Sequence, residues 1–298
     1  MNTIVTIIDK PKQVNTIIKR IVEAGLDDVI KYMDYKHPDL SDDEKAKILR
    51  EKWLPSLIED GIKTGHFTMN NGRLQVIIQQ ELSVIAGFIY EAYVVRKAKV
   101  DSNFFFKLFK WTTRRERLQL EILNQYFPIG LGHKETREKY PLFYEPTSRK
   151  FDVIFLRFND KVGAYEEATV VGTSIRAGVQ VKAIKGNEIK EIISPILQDK
   201  YESVITMLRH KDNIHSYDYC MDIIKKMYNK SEITNEQRIK LENSIAYPGN
   251  MGIDQYEVDE YYDYIKYWYN SEATADKVTL NGVSIGVQEA ILRKSILS

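Results

Sequence analysis

At 298 residues the chain is about twice the roughly 150-residue length of a typical domain, so one large domain or a core with added helices is expected. Hydrophobic residues at 43%, charged residues at 29%, and only 15 Gly and 8 Pro exclude a disordered, collagen-like or low-complexity chain. The 43 Lys plus Arg nearly cancel 42 Asp plus Glu, leaving a formal charge of +1, so any attraction for nucleic acid or membrane must be local.

The opening MNTIVTIIDKPKQ is apolar over too short a run, broken by Asp9, to read as a signal peptide; it reads as a short strand or a helix lead-in. Residues 12–65 carry helical spacing, as in Val14, Ile17, Ile18, Ile21 and Val22. Ser41 followed by Glu44 is a capping-box pattern that opens a second helix. Asn70-Asn71-Gly72 marks a turn closing this section, and a long helix is predicted over residues 73–99. Gln79, Gln80, Glu81 and Glu91 interrupt the most apolar stretch, residues 74–95, whereas a membrane span needs about 20 nearly uncharged residues. No membrane association is expected.

Residues 101–117 are basic and aromatic, and they lead into loops marked by Gly130, Gly132, Pro141 and Pro146. Residues 151–158 and 175–184 are β-branched and aromatic and predict strands, joined by a polar connection containing Gly163, Glu166 and Glu167. Helical spacing returns at Ile192, Ile193, Ile196, Leu197 and Tyr201 and predicts mostly helix to residue 270, with a strand-like run at 278–287. Helices, a strand-rich centre, then helices imply an α+β or α/β fold: residues 1–72 helical, 73–210 the core, 211–298 mainly helical. A single cysteine, Cys220, excludes a disulfide framework and a cysteine-cluster metal site, and the cytoplasm is the expected compartment.

Three positions place charge where periodicity predicts burial. Glu91 has Gly87, Phe88, Val94 and Val95 as its helical neighbours, so its carboxylate faces packed surface and needs a partner or a metal. Asp152 lies in the first predicted strand. Gln180 and Lys182 share one face of the second, with Val179, Val181 and Ala183 on the other.

Gly87-Phe-Ile-Tyr-Glu91, Phe151-Asp152 and Val179-Gln180-Val181-Lys182 together resemble the PD-(D/E)xK nuclease superfamily, in the variant with Gln at the second acid. The resemblance spans residues 75–209 and implies a restriction-endonuclease-like mixed-sheet core, with a helix glutamate before the two strands and a helix after them. It also implies Mg²⁺ or Mn²⁺ held by Asp152, Glu91, the Gln180 amide oxygen and the Val181 carbonyl, with Lys182 orienting the attacking water and stabilising charge on the phosphate. Phe151 stands where the family often has Pro, and Gln180 removes a negative charge. Glu166 or Glu167 would either belong to an insertion or supply the missing carboxylate.

Lys107, Lys110, Arg114, Arg115 and Arg117, among Phe104, Phe105, Phe106, Phe109 and Trp111, are candidate nucleic-acid contacts; the competing reading is a solvated helix face over core aromatics. Residues 254–263, acidic and tyrosine-rich, read as a packed helix. Lys63-Thr64 lacks the upstream glycines of a phosphate loop, and His37, His66, His133, His210 and His215 show no metal-ligand spacing. Cys220, near His210 and His215, reads as a packed thiol, and no Ser-centred hydrolase elbow is present.

The expected function is a metal-dependent nuclease, on DNA rather than RNA, with a role in conflict with mobile elements resting on analogy alone. The helical flanks are the surfaces open to a second copy or a protein partner. The alternative is a catalytically silent nuclease-fold protein that binds protein or nucleic acid.

Overall fold

A computed structural model describes residues 3–7, 39–70, 73–78, 81–210 and 212–274. The chain divides into two units, Met1–Ile89 with Asp259–Ser298, and Tyr90–Val258. The strand-like run expected at 278–287 and the helical spacing at Val14 to Val22 lie outside the described residues.

In the first unit β1 (Thr3–Ile7), β2 (Phe67–Asn70) and β3 (Arg73–Ile78) form an antiparallel sheet in the order β1-β3-β2. The helix α1 (Asp42–Lys63) opens on the expected capping box, with Ser41 Oγ accepting from Glu44 N–H at 3.4 Å and Glu44 Oε2 accepting from Ser41 N–H at 2.9 Å. Trp53 of α1 stacks on Tyr261 at 4.6 Å and donates through Nε1 to buried Glu260 at 2.6 Å, while Tyr261 donates to buried Asp60 at 2.8 Å.

The predicted helix over 73–99 needs correction: α2 runs Leu82–Val100, and residues 73–78 are a strand. Asn70 pairs with Arg73, so only Asn71 and Gly72 separate the two paired strands. Asn-Gly between β-forming runs is a hairpin signal, and Val76, Ile77 and Ile78 are β-branched. Those local preferences outweigh the helical spacing of the apolar residues.

The second unit is built on a six-stranded mixed sheet flanked by helices, an α+β arrangement. After α3 (Ser102–Thr112) and the single turn α4 (Leu120–Leu123) come β4 (Tyr126–Gly130), α5 (Lys134–Lys139), β5 (Val153–Asn159), β6 (Ala164–Glu167) and β7 (Gly178–Lys182). A π-helical turn (Ile189–Ile193) runs into α6 (Ser194–Leu197), followed by β8 (Val204–Thr206), α7 (Ser216–Asn229), α8 (Asn235–Ser244) and β9 (Ile245–Ala246); the last described helix, α9 (Gln255–Thr274), begins here and continues in the first unit. The order is β4-β5-β7-β8-β9, with β6 paired on β5; contacts are antiparallel up to β7 and parallel from β7 to β9.

Four of these strands differ from the sequence reading. Residues 126–130 open the stretch predicted as loops from Gly130 onward, yet they form β4, which ends the sheet order, where the missing N–H of Pro128 is tolerated. The strand β6 occupies the polar connection, and β8 and β9, at three and two residues, are too short for their periodicity to stand out in a helical stretch. The expected helix after β7 is present, yet it ends at Leu197 rather than continuing through residue 208.

Phenylalanines of the basic, aromatic stretch form core. Phe104, Phe105 and Phe109 are buried, and the rings of Phe105 and Phe109 lie 5.9 and 5.2 Å from that of Phe155 in β5. A second cluster joins Ile192, Ile193 and Ile196 to Val204, Ile224 and Leu241, so the crossover after β7 is tied to the sheet and to both α7 and α8. Cys220 belongs to it; burial pushes its thiol up to about 12, which leaves it inert as a nucleophile.

Candidate functional site

Where β5 meets β7, the backbones approach closely. A side chain at Gly178 would meet the Val153 carbonyl at 2.7 Å, so only glycine fits there. That approach puts Asp152, the residue before β5, against the middle of β7. Its amide donates to the Val179 carbonyl at 3.0 Å, Oδ2 accepts from Val181 N–H at 2.7 Å and Oδ1 from Gln180 Nε2 at 2.9 Å.

Along β7 burial does not alternate: Gln180 is buried as well, and only Lys182 is half-exposed. Val179, Val181 and Ala183 are buried, and Gln180 and Lys182 share the opposite face. Gln180 N–H bonds the Ser203 carbonyl and the Lys182 carbonyl accepts from Met207 N–H, both on the β8 side. Val181 therefore directs its own N–H and C=O to the β5 side, beside Asp152.

Glu91, on α2, joins this group. Burial and the charge of Asp152 push its carboxyl well above the ordinary range, against the pull of Lys182. Burial also raises Asp152 to about 6, opposed by the Val181 N–H, the Lys182 charge and the Gln180 amide. Two acids thus face one lysine, and the pair gives up its second proton late. The Lys182 ammonium lies 5.0 Å from the centre of the Tyr201 ring, a cation–π contact that holds it beside the acids.

Gln180 leaves one atom over. Its Oε1 is buried with no hydrogen-bond partner among the described residues, a state that costs on the order of 1–3 kcal/mol and is rare in folded proteins. Two carboxylates, this amide oxygen and the Val181 carbonyl are the hard oxygen donors that could hold a divalent cation. Among the described residues no three His, Cys, Asp or Glu side chains are grouped to hold a metal ion.

Glu166 and Glu167 do not supply a third carboxylate. Both lie on β6, where Glu166 accepts from Arg157 at 2.9 Å and Asn159 at 2.6 Å, and Glu167 pairs with Arg176 at 2.7 Å. The long gap between Asp152 and Gln180 holds this added hairpin. His210 also fails as a relay: the same Nε2 meets both Glu188, at 2.5 Å, and Ser216, at 3.3 Å, whereas a relay uses both ring nitrogens.

Of the five basic candidates, Lys107, Lys110, Arg114 and Arg115 line one open cleft of about 1000 Å³, whereas Arg117 is exposed outside that lining. Arg114 has a structural role. It is left-handed (φ 55°) just past the end of α3, where glycine is usual, and the Arg115 and Arg114 amides close the turn on the carbonyls of Lys110 and Trp111. Its guanidinium donates to the carbonyls of Asn243 at 2.7 Å and Glu202 at 3.1 Å.

Arg114→Ala is expected to lower the unfolding free energy by about 3 kcal/mol, since it removes these bonds and keeps the strained backbone. Arg114→Gly should cost about 1 kcal/mol less, because glycine adopts that backbone freely. Urea denaturation of the two variants checks the order; glycine as damaging as alanine would mean the turn stores no strain.

Tyr201 carries helical spacing in the sequence, with no sign that it sits by Lys182, and the cleft walls contributed by Tyr217, Lys240 and Asn243 stand far along the chain from α3, where no spacing rule links them. No family model, no curated protein and no solved structure matches the chain.

Proposed function

We propose that this chain is a metal-dependent nuclease that hydrolyses phosphodiester bonds, with DNA the favoured substrate, on a restriction-endonuclease-like core. The observation that carries the reading is the meeting of Glu91, Asp152, Gln180 and Lys182, with Gln180 Oε1 left without a partner. The order of elements supports it: a helix bearing Glu91, Asp152 just before β5, a strand bearing Lys182, then a helical segment from Ile189 to Leu197.

Asp152, Glu91, Gln180 Oε1 and the Val181 carbonyl would hold Mg²⁺ or Mn²⁺, which would polarise a phosphate oxygen and lower the pKa of a bound water. Gln180 Nε2 and the Val181 N–H fix the Asp152 carboxylate in place. Lys182 stands where it can orient the water and stabilise negative charge developing on the phosphate. The raised Glu91 carboxyl, buried beside Asp152, is held toward its neutral form, and a bound cation would favour its ionised form.

The test incubates plasmid, linear duplex, single-stranded DNA and structured RNA with the protein in Mg²⁺, Mn²⁺ or EDTA. Cleavage should require metal and fall on the order of 10²–10³-fold in Lys182→Ala, the scale set by losing one electrostatic stabiliser. Substrates left intact in every condition would overturn the reading.

One observation favours a second reading, a nuclease-fold binding module without activity. Gln180 stands where a second acid would, and only two carboxylates meet at the site. In that case Asp152→Ala would leave nucleic-acid or protein binding unchanged, and no metal would be needed for it.

A further inference from the structure

The cleft beside α3 is cationic in a protein of almost no net charge. Of its charged walls, Lys240 pairs with Asp199, Glu242 with Arg238 at 2.7 Å and Glu202 with Lys150 at 3.1 Å, and Arg114 is engaged by backbone carbonyls. Among the described residues Lys107, Lys110 and Arg115 have no such partner, and they face a single unpaired acid, Glu116. Arg115 goes further, since its Nε is buried with no hydrogen-bond acceptor.

That Nε is sealed from the cleft, so a ligand there meets the half-exposed remainder of Arg115 together with the two lysines. Phosphate oxygens are the matching acceptors for an arginine fork with two lysines beside it. Lys107, Lys110 and Trp111 line the cleft from α3, whose Phe104, Phe105, Leu108 and Phe109 are buried in the core. Trp111 is fixed by its Nε1 bond to the Asn243 carbonyl at 2.9 Å, and Tyr217 is braced by Tyr247 with ring centres 5.0 Å apart. Both line the cleft, giving it rigid aromatic surface beside the cations. Its volume, about 1000 Å³, is at the upper end for a small-ligand site.

We infer that this cleft binds the phosphate of a nucleotide, with Lys107, Lys110 and Arg115 on the phosphate oxygens and Trp111 and Tyr217 beside the base. It shares no residue with the acid pair. Tyr201, whose ring lies by Lys182, directly precedes Glu202 in the cleft wall, so a single peptide bond links the two sites. The same chemistry is offered by a free nucleotide and by the phosphorylated end of a strand.

The test is fluorescence-anisotropy binding of a short single-stranded oligonucleotide carrying a 5′-phosphate, beside its hydroxyl-ended twin, in EDTA, with adenosine triphosphate as competitor. Binding should weaken at least tenfold in the Lys107→Gln/Lys110→Gln/Arg115→Gln variant and strengthen in Glu116→Lys, a gain that misfolding cannot mimic. Engaging three cations also predicts a slope near −2 in log affinity against log salt for a single strand, on the order of 0.7 per contact. Preference for the phosphorylated strand, displaced by triphosphate, supports a site open to both sources; the same preference without displacement supports the strand end. Equal binding of both oligonucleotides, no binding at all, or a triple variant that binds like wild type overturns the inference. The melting temperature separates it from the nuclease reading: a cation-induced rise retained in the triple variant leaves the acid pair intact.

Discussion

Asp152→Asn should raise the melting temperature in metal-free buffer at pH 8 while cutting metal-dependent cleavage on the order of 10³-fold. The folded carboxyl titrates at about 6 against an ordinary value of 3.8. Between those values the folded chain keeps a proton that the unfolded chain has released, so the contribution of this carboxyl to stability is greatest below pH 4, declines as pH climbs to 6, and stays reduced beyond it. The deficit at pH 8 is about 3 kcal/mol. The substitution recovers only part of that, about 1–2 kcal/mol, because attraction to Lys182 is lost and the new amide must meet Gln180. Gln180 can turn its own amide over and offer Oε1 as the acceptor. A gain of about 4 °C follows for a unit of this size. Mg²⁺ or Mn²⁺ should raise the melting temperature of the wild type and leave the variant unmoved. Calorimetry at pH 5 and pH 8 decides the matter: a variant less stable at both would make Asp152 only a structural acid that anchors Val181.

Gln180→Glu tests the same site from the other side. A third carboxylate would stand against Asp152 where an amide now donates at 2.9 Å. In metal-free buffer at pH 8 the penalty should be about 3–5 kcal/mol, the scale of an uncompensated buried charge. Divalent cation should return most of it, since the added charge strengthens the ligand set, so the cation-induced rise in melting temperature should exceed that of the wild type. As pH falls and the acids take up protons, the variant should regain stability without metal. A variant stable in EDTA at pH 8, with no larger response to cation, would place position 180 away from any metal.

Glu91, Gln180 and Lys182 were legible because each sets a polar group among apolar neighbours at a period the local structure enforces. Asp152 was legible for a different reason, its place at the opening of a β-branched run. What the sequence hid was pairing. The strand β8 has three residues, and the register that joins Gln180 to Val204 is a long-range fact with no local signature. The basic stretch carried two meanings at once. Phe104, Phe105 and Phe109 are core, while Lys107, Lys110 and Arg115 border a cleft whose other walls include residues more than eighty positions away. Arg114, one of the same basic run, turned out to close a helix, because its backbone conformation is written in no side-chain pattern. Residues 73–78 carry helical spacing and form a strand paired with residues 67–70, a preference that Asn71-Gly72 signals in the sequence.

The switch from antiparallel to parallel pairing at β7 sets an order of events during synthesis. Glu91, Asp152, Gln180 and Lys182 have all been translated by residue 182, yet until β8 arrives the strand bearing Gln180 and Lys182 is an open edge. The ladder closes when Ser203 accepts the Gln180 amide and Met207 donates to the Lys182 carbonyl. Tyr201 takes its place by Lys182 in the same step. A nascent chain therefore carries every residue of the acid and lysine cluster for some time before it carries Tyr201 and the β8 edge that close over Lys182.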